Sequence, residues 1–327
     1  MAVKTFIEAI RDTLAQEMRR DPATIVLGED VGKKGGVFLA TDGLHGEFGD
    51  ERVIDTPLTE SMIVGVSIGA AANGLRPIAE IQFADFIFPA FNQLVSEAAR
   101  MRYRSNNAFG CPITIRAPYG GGVHGALYHS QSVEAYFTHV PGLKVVIPST
   151  PHDARGLLRT AIRDDDPVLF FEHKKMYRSV RGEVPETEYA IPLGSAAVVR
   201  PGSHVTVVAY GLMTHYALEA ADSLDDEGVS AEVIDLRSLR PLDKGTVLES
   251  VKKTGKCLVV YEDNRFGGYG AEVAAMVAEE AFDFLYGPVT RLAGPEVPGV
   301  PYNHVLEDWF MLNPTKIAEA IRKLAAY

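Results

Sequence analysis

Short apolar runs alternate with helix-forming stretches from one end of the chain to the other, and this alternation limits the folds open to it. Residues 24–28 (TIVLG), 52–57 (RVIDTP), 77–83 (PIAEIQF), 112–118 (PITIRAP), 143–148 (LKVVIP) and 167–173 (PVLFFEH) each read as a strand. Apolar runs of this length, without polar alternation, belong to strands covered on both faces. The stretches between them carry helical spacing. Ile7, Ile10, Leu14 and Met18 recur at three and four residues, and Asp21-Pro22 ends that helix. Residues 61–73 are apolar and small, with Gly74 as a stop, and 86–104 and 152–163 read as further helices. Strands separated by helices imply a mostly parallel sheet with helices on both faces.

The pattern lapses once. Residues 178–194 lack periodicity and carry Pro185, Pro192 and three glutamates. It then restarts, with strands expected at 204–211, 231–236, 256–263 and 289–295, helices at 214–228 and 243–253, and a closing helix at 313–327. The reading is an α/β chain of two tandem domains, 1–185 and 186–327, and 327 residues is ample for two cores. Thirty-two Lys and Arg against 43 Asp and Glu leave a net charge of -11, which argues against a nucleic-acid partner. No apolar run approaches the roughly 20 residues of a membrane span. The first residues, MAVKTFIEAIRDTLAQEM, carry too much charge for a signal peptide and too much acid for a transit peptide. The only cysteines, Cys111 and Cys257, sit among apolar neighbours and suggest neither a disulfide framework nor a metal site. A reducing, cytoplasmic setting in a bacterium or archaeon is the expectation.

Ligands of open α/β sheets bind beyond the carboxyl ends of the strands. That rule selects Glu29 and Asp30, residues 55–60, residues 82–86 and the loop 118–132. Each also has a plainer reading. Glu60 precedes a helix, where a carboxylate serves as a cap, and on residues alone capping is the better reading. Glu29 and Asp30 read equally as solvated loop charges, YGGGVHG (119–125) as a surface loop, and His129 as a satisfied histidine. No phosphate loop, dinucleotide fingerprint, GxSxG elbow, HExxH or CxxC is present. Composition and spacing alone leave a two-domain α/β protein with an unidentified ligand.

Several longer blocks are more specific: LGEDVG (27–32), DTPLTES (55–61), AEIQFADFIFPAFNQ (79–93), RYRS (102–105), YGGGVHGALYHSQS (119–132), GLKVVIPSTP (142–151) and DLRSLRPLD (235–243). In this order they resemble the β subunit of the thiamine-diphosphate-dependent decarboxylase component of 2-oxo acid dehydrogenase complexes, across essentially the whole chain. QFADFIFPAFNQ and HGALYHSQS look closest to the branched-chain (3-methyl-2-oxobutanoate) type, while the pyruvate and acetoin enzymes share most blocks. The resemblance implies a transketolase-like pyrimidine-binding domain (1–185) followed by a transketolase C-terminal-like association domain (186–327).

It also implies roles. Glu60 would be the carboxylate that hydrogen-bonds the cofactor's aminopyrimidine ring, with Leu58 and Thr59 lining that pocket and Glu29 and Gln82 on the cofactor side. Phe86 matches a position that is often Tyr in relatives, keeping a ring face for stacking while losing a hydroxyl. Phe83, Ala84, Asp85, Phe86 and His129 would meet the substrate, and His129 would be the acid/base beside the reacting carbon. His124 is a further candidate in the glycine loop. A structural potassium ion would fall at Ile113, Ala161, Asp164 and Asp166, although a polar turn ending a helix explains the same residues. The family's GDG for Mg²⁺ is absent, since TDG (41–43) and FGD (48–50) do not fit. An α subunit would therefore supply the diphosphate and Mg²⁺ half of the site in an α2β2 heterotetramer. The C-terminal domain would dock a basic domain of the dihydrolipoyl acyltransferase, which the acidic net charge suits. The rival of another class is a non-catalytic docking subunit that keeps only the fold.

Overall fold

In the computed structural model, which describes residues 1–327, the strand Thr24–Gly28 is buried along its whole length, as its TIVLG composition requires. The chain divides into two compact units. One comprises Met1–Tyr119 and Tyr136–Leu193, the other Gly120–Ala135 and Gly194–Tyr327. The division between Leu193 and Gly194 falls at the end of the aperiodic stretch. The glycine-rich loop after residue 119, by contrast, leaves the first unit for the second.

In the first unit the strands are β1 (Ala2–Thr5), β2 (Thr24–Gly28), β3 (Val53–Asp55), β4 (Arg76–Glu80), β5 (Thr114–Tyr119), β6 (Lys144–Val146), β7 (Val168–His173) and β8 (Arg181–Val184). β6, β7, β5, β4, β2 and β3 lie side by side in that order, every pair parallel. Parallel neighbours need crossover connections, and the helices Phe6–Arg20, Glu60–Ala72 and Pro151–Arg163 provide the cover. Helix Phe6–Arg20 begins with a capping box between Thr5 and Glu8 and buries Phe6, Ile10, Leu14 and Met18. Phe6, not Ile7, completes that face, because each of these side chains lies four residues from the next.

Two expectations change. The stretch 86–104 is not one helix. Short 3-10 turns at Ala84–Phe86 and Phe88–Ala90 lead into a π turn at Gln93–Glu97, another 3-10 turn at Ala98–Arg100 and a single α turn at Met101–Arg104. Pro89 contributes no amide near its start, which favours short turns over a continuous ladder. The aperiodic stretch, for its part, is not merely a linker: β8 lies within it and pairs antiparallel with β1, Ala2 opposite Val184.

In the second unit β9 (Ala197–Arg200), β10 (Val205–Ala209), β11 (Ala231–Asp235), β13 (Cys257–Asn264) and β14 (Thr290–Gly294) form a sheet in the order β14-β13-β10-β11-β9. The short β12 (Ser238–Arg240) stands outside it. Only β9 runs antiparallel within this sheet. Helices Leu212–Asp222, Lys244–Thr254, Gly270–Glu280 and Pro314–Ala325 pack against it. No helix of the chain is long and apolar enough to cross a membrane.

Candidate functional site

At the carboxyl end of β2 the chain turns through Glu29 and Asp30 into a loop tied down by Asp55, whose Oδ1 accepts from the Gly32 amide at 2.6 Å. The Thr56 amide donates to the Gly28 carbonyl at 2.9 Å. These bonds bring LGEDVG beside DTPLTES. The Glu29 carboxyl is pushed up, first by burial and then by the negative charges of Asp30 and Glu60. Two of the expected cofactor-side carboxylates therefore sense one another.

Glu60 opens helix Glu60–Ala72, with Thr59 as the capping residue. Thr59 gives no side-chain cap; its hydroxyl donates to the Leu58 carbonyl at 2.7 Å, while its own carbonyl accepts from Met62 and Ile63. The half-buried Glu60 carboxylate makes no hydrogen bond within the chain. It closes no capping bond, so it is left available at the positive end of a helix. Leu58 is 68% exposed, a large apolar surface facing outward beside it.

Beyond β4, Gln82, Phe83 and Phe86 are half-buried, whereas Ala84 and Asp85 are turned inward. The Phe83 ring meets Phe86 edge-on at 5.6 Å and Phe38 at 5.4 Å, and Lys174 Nζ lies 5.7 Å from its centre. Phe38 also meets Tyr177 at 5.1 Å. The sequence did not point to this cluster around Phe83, because Phe38, Lys174 and Tyr177 come from segments remote from 82–86.

Midway along β5, Arg116 is fully buried between Glu80, the last residue of β4, and Glu172, near the end of β7. Tyr177 Oη donates to Glu172 Oε2 at 2.6 Å. Both carboxylates hold the guanidinium charged despite its burial, and burial pushes the Glu80 carboxyl up.

His129 lies in the second unit. It follows a 3-10 turn, Ala126–Tyr128, and is exposed. Its loop closes on itself through the Gly120 amide, which donates to the Gln131 carbonyl at 3.1 Å. His124, also exposed, forms an ion pair with Glu307.

Of the four potassium candidates, Ala161, Asp164 and Asp166 lie at the turn that ends helix Pro151–Arg163, and Ile113 immediately precedes β5. The Ile113 carbonyl accepts from Val168, that of Ala161 from Asp164, and that of Asp164 from Arg76 Nη1. The Asp164 carboxylate is held by Lys144 Nζ at 2.6 and 2.7 Å and the Asp166 carboxylate by Arg102 Nε at 2.5 Å. These contacts explain the turn as a cross-linked helix end. No group of three or more His, Cys, Asp or Glu side chains is placed to hold a metal ion.

Two family descriptions match the chain: transketolase, pyrimidine binding domain, over residues 3–180, and transketolase, C-terminal domain, over 194–317. The chain is 58% identical over 327 residues to the 2-oxoisovalerate dehydrogenase subunit beta of Bacillus subtilis (strain 168), covering 100% of both. It is 48% identical, again over 100% of both chains, to the pyruvate dehydrogenase E1 component subunit beta of the same organism. Among solved structures, a split gene transketolase, an inactive beta4 tetramer, matches with a TM-score of 0.79 at 27% identity, over 98% of each chain. A Pichia stipitis transketolase matches at 16% identity and TM-score 0.70 over 46% of its length, a likeness of fold alone.

Proposed function

This chain belongs to the β subunits of the thiamine-diphosphate-dependent decarboxylating components of 2-oxo acid dehydrogenases, and on that premise we propose that it serves the oxidative decarboxylation of branched-chain 2-oxo acids. Its higher identity to the 2-oxoisovalerate relative than to the pyruvate relative supports that substrate class. An α subunit is the implied partner. We assign to it the diphosphate and Mg²⁺ half of the site in an α2β2 assembly, since this chain has no GDG. The acyl group would pass to the lipoyl group of a dihydrolipoyl acyltransferase docked on the association domain, 186–327, with the pyrimidine-binding domain at 1–185.

The observation that carries the reading is the Glu60 carboxylate, half-buried at a helix start and hydrogen-bonded to nothing in the chain. Such a group fits an aminopyrimidine ring nitrogen, which needs a carboxylate partner to change its protonation. What thiamine diphosphate supplies when bound is a nucleophilic carbon and an electron sink for decarboxylation. Glu60 would hold the proton at the pyrimidine nitrogen. Leu58, Thr59, Gln82 and Phe86 would enclose the ring, with Glu29 adding a second carboxyl. Phe83 and Phe86 would offer apolar ring faces to a branched acyl chain, Ala84 and Asp85 backing them from inside the fold. His129, exposed on its loop, would transfer a proton at the reacting carbon. Potassium at Ile113, Ala161, Asp164 and Asp166 remains part of the reading only through backbone carbonyls, because Lys144 and Arg102 occupy the carboxylates.

The test is turnover of the assembled enzyme on 3-methyl-2-oxobutanoate, pyruvate and acetoin, with and without thiamine diphosphate and Mg²⁺. The expected result is cofactor-dependent turnover, fastest on the branched substrate, lowered about 10²-fold or more by Glu60→Gln. Fastest turnover on pyruvate would overturn the substrate class. Full activity of Glu60→Gln would overturn the role of Glu60, and no cofactor response would favour the docking subunit.

A further inference from the structure

Four of the six residues 120–125 are glycine, and nothing in their composition holds them in one shape. Yet the loop is tightly held. The Gly121 amide donates to Glu262 Oε1 at 2.5 Å, and the amides of Gly122 and His124 both donate to Glu307 Oε1, at 3.0 and 3.2 Å. Glu307 Oε2 lies against His124 Nδ1. Glu307 is 1% exposed, so its charge is desolvated and its oxygens depend on these donors. Both carboxylates stand on ordered elements of the same unit. Glu262 is on β13, and Glu307 is on helix His304–Phe310, which Asn303 caps at 3.0 Å and whose end packs Phe310 and Met311 with Val300. A Cβ at Gly121 would come within 2.8 Å of Met311 Sδ, so the loop is pressed on that helix end.

The backbone of the loop is also strained. His124 and Ala126 adopt φ of 57° and 56°, a region that non-glycine residues occupy only where their surroundings impose it. For His124 that imposition is visible, since amide and ring both meet Glu307. Three residues beyond Ala126 comes His129, and the Gly120–Gln131 bond closes the loop behind it. The path of the chain to His129 therefore runs between two fixed points, the base of the loop and the Glu307 contact.

We infer that Glu307 is a positioning residue: through the amides of Gly122 and His124 and the His124 ring, it holds the loop in the conformation that presents His129 for proton transfer. This rests on the acid/base role proposed for His129. Glu307 touches neither substrate nor cofactor in this reading, and it is 178 positions from His129 in sequence, so no local pattern points to it.

The experiment compares wild type, Glu307→Ala, Glu307→Gln, Glu307→Asp and His129→Ala, each assembled with the α subunit. Hydrogen exchange of the 120–131 amides is measured beside turnover with a lipoyl domain as acceptor. Glu307→Ala should speed exchange in 120–131 about tenfold or more and lower kcat about tenfold, with KM for the 2-oxo acid within about twofold. Glu307→Gln keeps an oxygen acceptor for the two amides and should recover most of both. If Glu307→Ala does not fold, Glu307→Asp, with its carboxylate withdrawn by one methylene, should give the same paired loss. Unchanged exchange overturns the inference, and so does faster exchange with unchanged kcat when His129→Ala is impaired. Normal turnover of His129→Ala would instead remove the role of His129, and this inference with it.

Discussion

Arg116 and Glu172 meet through two parallel contacts, Nε to Oε1 at 2.7 Å and Nη2 to Oε2 at 2.8 Å, with no side-chain surface of either exposed. The remaining Arg116 nitrogen, Nη1, reaches Glu80 Oε2 at 2.6 Å. One cation from β5 is thus shared by two carboxylates from the strands on either side of it, β4 and β7.

Removing the shared cation should be costly. Arg116→Met leaves Glu80 and Glu172 buried together without compensation, and a loss of about 3–5 kcal/mol is expected. Chemical denaturation of the assembled protein measures it, and a loss below about 1 kcal/mol would show that the carboxylates find other partners or protons.

The second unit carries a pH dependence of opposite origin. Glu134 is buried, accepts from Tyr210 Oη at 2.8 Å and is pushed up to about 8, chiefly by burial and then by the charge of Asp263, with a smaller contribution from Glu262. Asp263 is pushed up to about 6, again chiefly by burial. Both groups hold their protons more tightly folded than unfolded. Their contribution to stability is therefore full below the unfolded carboxyl values and is lost as pH rises through about 6 and about 8. Unfolding free energy should fall across that window by up to about 1.4 kcal/mol per pH unit for each group, and Glu134→Gln should flatten the slope. An unaltered slope in Glu134→Gln would assign the dependence elsewhere.

Neither cysteine should react in the native state. Burial pushes both thiols up to about 12, with Asp166 adding to the effect at Cys111. At pH 8 a thiol reagent should label neither until denaturant is added, because the thiolate is the reactive form. Rapid labelling of the folded protein would mean that one of the two sites opens.

Gly142 approaches the backbone of Ala99 so closely that a Cβ would lie 1.9 Å from its carbonyl oxygen, and its φ is +98°. Both the contact and the dihedral forbid a side chain. Gly142→Ala should cost about 3 kcal/mol or more, read as a drop in Tm, whereas Gly46→Ala, with open space around it, should change little.

The sequence by itself determined the elements whose signal is local. The buried face of helix Phe6–Arg20, the fully buried strands β2, β5 and β7, and the restart of the pattern after residue 194 follow from runs and periods within a dozen residues. The candidates Glu29, Glu60, Gln82, Phe86 and His129 could be nominated from the sequence because motif blocks surround them. Tertiary structure decided what depends on distant partners. The β1–β8 pair joins two four-residue strands whose hydrogen bonds come from the far side of the first unit's sequence. The turns of 84–104 replaced the expected long helix. Arg116 became a hub only when β4 and β7 flanked β5, and the loop 120–135 joined the second unit because Glu262 and Glu307 accept its amides. Periodicity records which face of an element is buried, but a buried charge or a strained loop is stable only when a partner from elsewhere in the chain supplies the missing donor or acceptor.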